Sequence, residues 1–120
     1  MRKARRSPSV PLSVRLPSKK IREKFLIVYE LQGCQRAADF LTEYYSVKRM
    51  RIILDGRRVS KRCYGLYFNN RAYFTREGLK RRVVLHELYH HLVDAKGYEL
   101  QGRIEEKEAN SYARKFLRFS

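Results

Sequence analysis

His86-Glu87-Leu88-Tyr89-His90 form an HExxH motif within a stretch of helical periodicity. Side chains four residues apart on a helix lie one above the other on the same face, so His86 and His90 can bind a single tetrahedral Zn²⁺. Glu87 is turned one position round from His86, within reach of a water that the ion activates but not of the ion itself. A carboxylate so placed acts first as general base, taking the water's proton, and then as general acid, passing it to the leaving amine of a cleaved peptide bond. On the apolar face of a helix, two imidazoles without such a role would each need another polar partner.

A hydrolytic zinc site needs a third protein ligand, and the remaining histidine does not supply it. His91 adjoins His90 and is turned by about 100° off the metal face, which gives it a supporting or surface role. The extended pattern HExxHxxGxxH fails, because Val93 and Lys96 stand where its Gly and His would be. Asp94 lies four residues beyond His90, but three successive turns of one straight helix converge poorly on a single ion. The better source is the carboxylate cluster Glu105, Glu106 and Glu108, which falls on the next helical segment.

The elements that must position these groups can be read from periodicity. Residues 1 to about 18 hold all three prolines and no acidic residue, a composition expected of a flexible basic arm. Ser18 can cap a helix in which Ile21, Phe25 and Val28 share a face, although FLIVYEL would also suit a buried strand. Gly33 interrupts it, and a second helix follows with Ala37, Ala38, Leu41 and Tyr44 or Tyr45 inward. The period then alternates. MRIIL, the pair Asp55-Gly56 and RRVSKRC predict a hairpin, and Tyr64 to Phe68, Asn69-Asn70 and Arg71 to Phe74 predict its continuation into three or four short antiparallel strands. Thr75 can cap a long helix running to Gly97, with Leu79, Val83, His86, His90 and Val93 on one face. A last helix, roughly Arg103 to Phe119, turns Ala109, Tyr112 or Ala113, and Phe116 inward. The expected fold is a single α+β domain over residues 19–120.

These residues resemble a known family. HELYHH, followed after a short linker by Glu106-Lys107-Glu108-Ala109-Asn110-Ser111-Tyr112-Ala113, is similar to the gluzincin zinc peptidases, in which a downstream glutamate helix carries the third ligand. It also resembles the E-x-E-A-N-x-F-A element of ImmA/IrrE-type peptidases, with Tyr112 where Phe is commoner. By size the chain is most like the minigluzincins. The specific resemblance covers about residues 75 to 117. It implies a zincin-like fold with Glu106 as third metal ligand, Glu108 as its runner-up, and Asn110 steadying the first histidine, a role that agrees with the need to fix an imidazole tautomer. It further implies that an edge strand before the motif binds substrate backbone, for which Asn70, Arg71, Ala72 and Tyr73 are the candidates, with an interior strand of no ligand role as the alternative. Tyr98, between the ligands in sequence, is a candidate donor to the oxyanion or else a packing residue. Latency is implied too, although residues 1 to 22 contain no Cys, Asp, Glu or His before Arg22 that could occupy the metal, so any block would be steric, through a backbone carbonyl, or by the tail Arg118-Phe119-Ser120 of a neighbouring molecule.

Charge bounds the remaining possibilities. The 120 residues contain 28 Lys and Arg against 12 Asp and Glu, a net charge of +16. Residues 1–82 carry 22 basic and 6 acidic side chains, the remainder 6 of each, so the segment bearing the motif is neutral. A hydrophobic share of 43% suffices for a packed core, and no apolar run is long enough for a membrane helix. The N-terminus lacks the apolar block and small-residue site of a secretory signal, so the cytoplasm is the expected compartment. Cys34 and Cys63 do not make a disulfide scaffold or a zinc knuckle; they read as free thiols or a single bridge. The basic clusters, with Tyr64, Tyr67, Phe68 and Tyr73 among them, suit nonspecific association with nucleic acid or acidic proteins, or simply a charged solvated surface. The expected function is a zinc metalloendopeptidase acting on peptides or proteins. The alternative is a basic nucleic-acid- or protein-binding module with a structural or regulatory zinc site.

Overall fold

Ser18 accepts a hydrogen bond from the Ile21 backbone N–H at 3.4 Å, and from there the chain enters α1, Lys19–Gln32. The computed structural model describes residues 14–59 and 64–119. Gly33, at φ 96°, takes a backbone conformation that L side chains avoid and lets α2, Cys34–Tyr44, fold back on α1. Strands β1 (Arg51–Leu54), β2 (Gly65–Phe68) and β3 (Arg71–Phe74) follow, then helices α3 (Arg81–Ala95) and α4 (Gly102–Phe116). The architecture of the described residues is α+β, four helices with one small sheet. Among the described residues, no helix is long and apolar enough to cross a membrane.

The sheet is mixed rather than antiparallel, with strand order β1-β3-β2. β2 and β3 form the expected hairpin around Asn69 and Asn70, both at positive φ (51° and 66°), with Leu66 opposite Tyr73. β1, however, pairs in parallel with β3, Ile53 beside Tyr73. The hairpin expected at Asp55-Gly56 does not form. Asp55 accepts from the Arg57 backbone N–H at 3.2 Å and is gripped by the Arg57 guanidinium at 3.0 Å, which closes a single 3₁₀ turn, Gly56–Arg58. Gly56 is not at positive φ, so the turn needed to fold β1 back is absent. The rest of the expected return strand, residues 60–63, lies outside the described residues, as does Cys63. Cys34 is a half-buried thiol whose pKa is raised by that burial.

Thr75 likewise turns the chain without starting the helix. Its hydroxyl accepts from Gly78 N–H at 2.9 Å, and α3 begins only after Lys80, whose side chain makes no cap. Residues 1–13 of the expected arm lie outside the described residues, but its inner end is part of the body: Val14 is buried, and the Tyr45 hydroxyl donates to the Arg15 carbonyl at 2.6 Å. The tail is anchored as well, with Arg22 stacked 5.1 Å above the Phe119 ring.

The core lies between the helices and the inner sheet face. Phe25 meets Phe116 edge-on with ring centroids 5.1 Å apart, and Ala37, Ala38, Ala109 and Ala113, all buried, let helices approach closely. α3 contributes Val84, Leu85, Leu88, Tyr89 and Leu92 to this core. Its other face, carrying Val83, His86, His90 and Val93, is thereby turned to a cleft.

One backbone approach sets the strand-to-helix passage. A Cβ on Gly78 would collide with the Tyr64 backbone, whereas one on Gly102 meets open space at the start of α4. Gly78→Ala should therefore lower unfolding stability by about 1–3 kcal/mol, and Gly102→Ala should raise it by up to about 1 kcal/mol. Urea denaturation midpoints measure both; a neutral Gly78→Ala would contradict the approach to Tyr64.

Candidate metal centre

The four-residue spacing of His86 and His90 on α3 places their rings 5.0 Å apart, with the two Nε2 atoms separated by 3.3 Å. α4 crosses beside them and brings Glu106, whose Oε1 lies 3.1 Å from His86 Nε2 and whose Oε2 lies 2.9 Å from His90 Nε2. The three donor groups lie within 4.8 Å of one another. Glu106 is 60% exposed, so its charge rather than packing draws it to the imidazoles. The same helix supplies Glu105, which accepts from His90 Nδ1 at 2.6 Å, and Asn110, whose side chain hydrogen-bonds His86.

The donor chemistry fits a divalent cation. With Nδ1–H of His90 given to Glu105, the His90 Nε2 lone pair faces the lone pairs of Glu106. Acceptors so close repel unless a proton or a cation lies between them. Burial, and then the neighbouring His90, lower the pKa of His86, which disfavours putting a proton there. One ion bound by two imidazoles and a carboxylate would satisfy all the facing lone pairs, and nitrogen and carboxylate donors suit zinc.

Glu87 stands apart from this donor set but lines the same cleft. Its carboxyl is buried, and burial pushes its pKa up to about 7, opposed in part by the His90 ring and by a hydrogen bond from the Tyr67 backbone N–H. The cleft has a volume of about 850 Å³ and is bounded by β2, α3 and α4. Gly65 on β2 makes room for the acid: a Cβ there would lie 3.1 Å from Glu87 Oε2.

Other sequence-derived candidates fall as follows. Tyr98, just after α3, lines the cleft. Asp94 also lines it but accepts from the Tyr67 hydroxyl at 2.7 Å and is outside the donor set. Glu108 is outside that set too and lies near the Tyr89 hydroxyl, whose pKa it helps to raise. His91 is fully buried, bonding the Lys48 carbonyl through Nε2 at 2.6 Å and standing 3.1 Å from the Tyr67 hydroxyl through Nδ1.

The expected edge strand requires correction. Arg71, Ala72 and Tyr73 belong to β3, the middle strand of the sheet, because β1 occupies its far side, and Asn70 lies in the turn that precedes it. Ala72 and Tyr73 are buried, and Arg58 stacks over the Tyr73 ring. The strand at the edge beside the cleft is β2, Gly65–Phe68. The sequence left Glu105 without a role of its own, offered Tyr67 only as an aromatic among the basic clusters, and gave no sign of Gly65. Only the helical register of Glu105, one step from Glu106, offered a signal.

Comparison of the chain with family models, curated proteins and solved structures gives no match.

Zinc titration of the purified chain tests the ligand set. Alanine at His86, His90 or Glu106 should abolish stoichiometric binding, and Glu105→Gln should weaken it by about 10–100-fold by releasing the His90 ring. Asp94→Asn and Glu108→Gln should bind as the parent does. Loss of zinc in either of the last two, with retention in Glu106→Ala, would reassign the third ligand.

Proposed function

We propose that the chain is a zinc-dependent metallopeptidase with a zincin-like arrangement of its site. The observation that carries this reading is the buried Glu87 carboxyl in the same cleft as the His86, His90 and Glu106 donors. His86, His90 and Glu106 would hold the Zn²⁺, with Glu105 and Asn110 fixing the two imidazoles from behind. Bound there, zinc supplies Lewis acidity that polarises a carbonyl and makes water a nucleophile near neutral pH.

The chain's own groups supply the rest. Glu87 removes a proton from the attacking water and delivers it to the amine as the peptide bond breaks. The Tyr67 backbone N–H, bonded to its carboxylate, holds it in orientation. Burial raises the proton affinity of this carboxyl, which suits a group that must accept a proton and return it. Tyr98 donates to the oxygen on which negative charge develops, and β2, as the sheet edge beside the cleft, aligns an extended peptide.

A purely structural zinc site is the weaker reading. Structural sites are closed by four protein ligands, whereas the grouped donors among the described residues number three and face an 850 Å³ cleft. The +16 charge suits recruitment of acidic partners or nucleic acid alongside hydrolysis.

The zinc-loaded full chain, and a form lacking residues 1–13 in case those residues block the cleft, should cleave an unstructured protein or quenched-fluorescent peptides. Glu87→Gln should retain zinc while losing about 10²–10⁴-fold in kcat, and Tyr98→Phe about 10²-fold. Failure of both zinc-replete forms to cut any peptide of a diverse library would sink the proposal.

A further inference from the structure

The floor of the cleft is one face of α3, on which Arg82, His86, His90 and Asp94 follow at four-residue intervals. Its two ends differ. At the far end Asp94 is engaged by Tyr67. At the near end stands Arg82, the one Lys or Arg among the described residues that line the cleft. No carboxylate pairs with Arg82 among the described residues, where Arg57 and Asp55, outside the cleft, form the Arg–carboxylate pair and the carboxylates of the cleft meet the imidazoles instead. Lys80 and Arg81 adjoin it, the first turn of α3 contains no acidic residue, and among the described residues no ion pair neutralises this end. Across the cleft, β2 and the residue before it present Tyr64, Leu66 and Phe68, exposed at 56%, 44% and 69%, as an apolar rim.

This arrangement has the spacing of a selectivity device. Four residues of helix rise about 6 Å, which separates Arg82 from His86 along the floor. An extended peptide advances about 3.3 Å per residue. A guanidinium one turn from the metal ligands therefore reaches a group within two residues of a bond held at them. Planar and forked, it pairs with a carboxylate through two parallel hydrogen bonds. We propose that Arg82 determines specificity, selecting peptides that carry a carboxylate within two residues of the cleaved bond.

The proposal rests on the peptidase reading of the site. The carboxylate can be an Asp or Glu side chain or the substrate's own C-terminus, and both present the same chemistry to Arg82. A basic side chain in that position meets the Lys80-Arg81-Arg82 field and is disfavoured.

Two readouts test this on the zinc-loaded full chain. The first is kcat/KM for N-acetylated, C-amidated peptides with Glu, Gln or Lys at each of the two positions on either side of the cleaved bond, beside the Gln peptides with a free C-terminus. Wild type should favour a carboxylate-bearing peptide over its neutral counterpart by about tenfold at one position, chiefly through KM, in line with the strength of a charge-assisted pair. Arg82→Gln should bring that ratio near one, and Arg82→Glu should invert it in favour of Lys. Selectivity confined to the free C-terminus assigns the carboxylate to the chain end; selectivity in the blocked peptides assigns it to a side chain. The second readout is fluorescence anisotropy of the same labelled peptides on Glu87→Gln protein, with and without Arg82→Gln, where the affinity ratio should follow the kinetic one.

Cleavage with equal rates on acidic and neutral peptides, or acidic selectivity that survives Arg82→Glu, overturns the proposal. Displacement of the peptide by a short oligonucleotide in an Arg82-dependent manner also overturns it, since the cation would then serve a phosphate backbone. A binding ratio without any cleavage would instead remove the peptidase reading while leaving Arg82 as a carboxylate-recognition residue.

Discussion

Everything in the site depends on the packing of α3 against α4. The two imidazoles of the motif come from one helix and are positioned by local geometry alone. The third donor, Glu106, lies sixteen residues past His90 and meets it only because the second helix returns across the first. The contact is built from small and aromatic residues. Ala109 and Ala113 of α4 are buried, and Tyr89 and Tyr112 lie with ring centroids 5.4 Å apart. Further ties hold α4 from outside the pair. The Tyr112 hydroxyl bonds Tyr45 at 2.8 Å, and Arg22 of α1 donates to the carbonyls of Lys115, Phe116 and Arg118. Those carbonyls lie at and just past the end of the helix, where the Arg118 N–H also donates to Lys115, so Arg22 helps to cap α4 and fixes its direction.

Electrostatics divides the two helices in opposite senses. α4 has Glu105 in its first turn and Arg114 and Lys115 in its last, which is the distribution that a helix dipole favours. Glu105 thus gains from its position at the positive pole and at the same time receives the His90 Nδ1 proton. A single residue stabilises its own helix and sets a tautomer on the neighbouring one. Tyr67 works similarly between sheet and helix. Its N–H bonds Glu87, and its hydroxyl bonds Asp94 and accepts from Asn70 N–H at 2.9 Å. The strand that borders the cleft is thereby fixed to α3 at both the acid and the far end of the floor.

How much of this could be read without coordinates follows the range of the interactions. Features set within a turn or two were legible: the Ser18 cap, the break at Gly33, the Asn69-Asn70 turn and the His86, Glu87 and His90 spacing. Asp55-Gly56 and Thr75 misled because each signal is ambiguous at that same range. An Asp before Gly can close a hairpin, or it can bond a backbone N–H two residues on, and with Arg57 supplying a second grip the latter won. Thr75 likewise spent its hydroxyl on Gly78 in a turn. The sheet order was beyond local reading, because β1 and β3 pair across some twenty residues, Arg51 opposite Arg71, and it is that pairing which puts β3 inside and β2 at the edge. The Glu105, Glu106 and Glu108 cluster was visible, but its division of labour depends on the crossing of two helices. Only Glu106 meets both Nε2 atoms, Glu105 lies behind His90, and Glu108 lies toward Tyr89.

The uneven charge of the chain also gains a physical meaning once it is placed in the fold. The basic excess ends at Arg82, and Arg82 is where α3 enters the cleft. Cations at the N-terminal end of a helix oppose its dipole at roughly 0.3–1 kcal/mol apiece, and Lys80, Arg81 and Arg82 follow one another there without an acidic residue to offset them. α1 also opens on two cations, Lys19 and Lys20, without an acidic residue in its first turn, whereas α4 has Glu105 at its start and Arg114 and Lys115 at its end. What sets the start of α3 apart from that of α1 is its position: Arg82 stands one turn from His86 and lines the cleft opposite the apolar rim of β2.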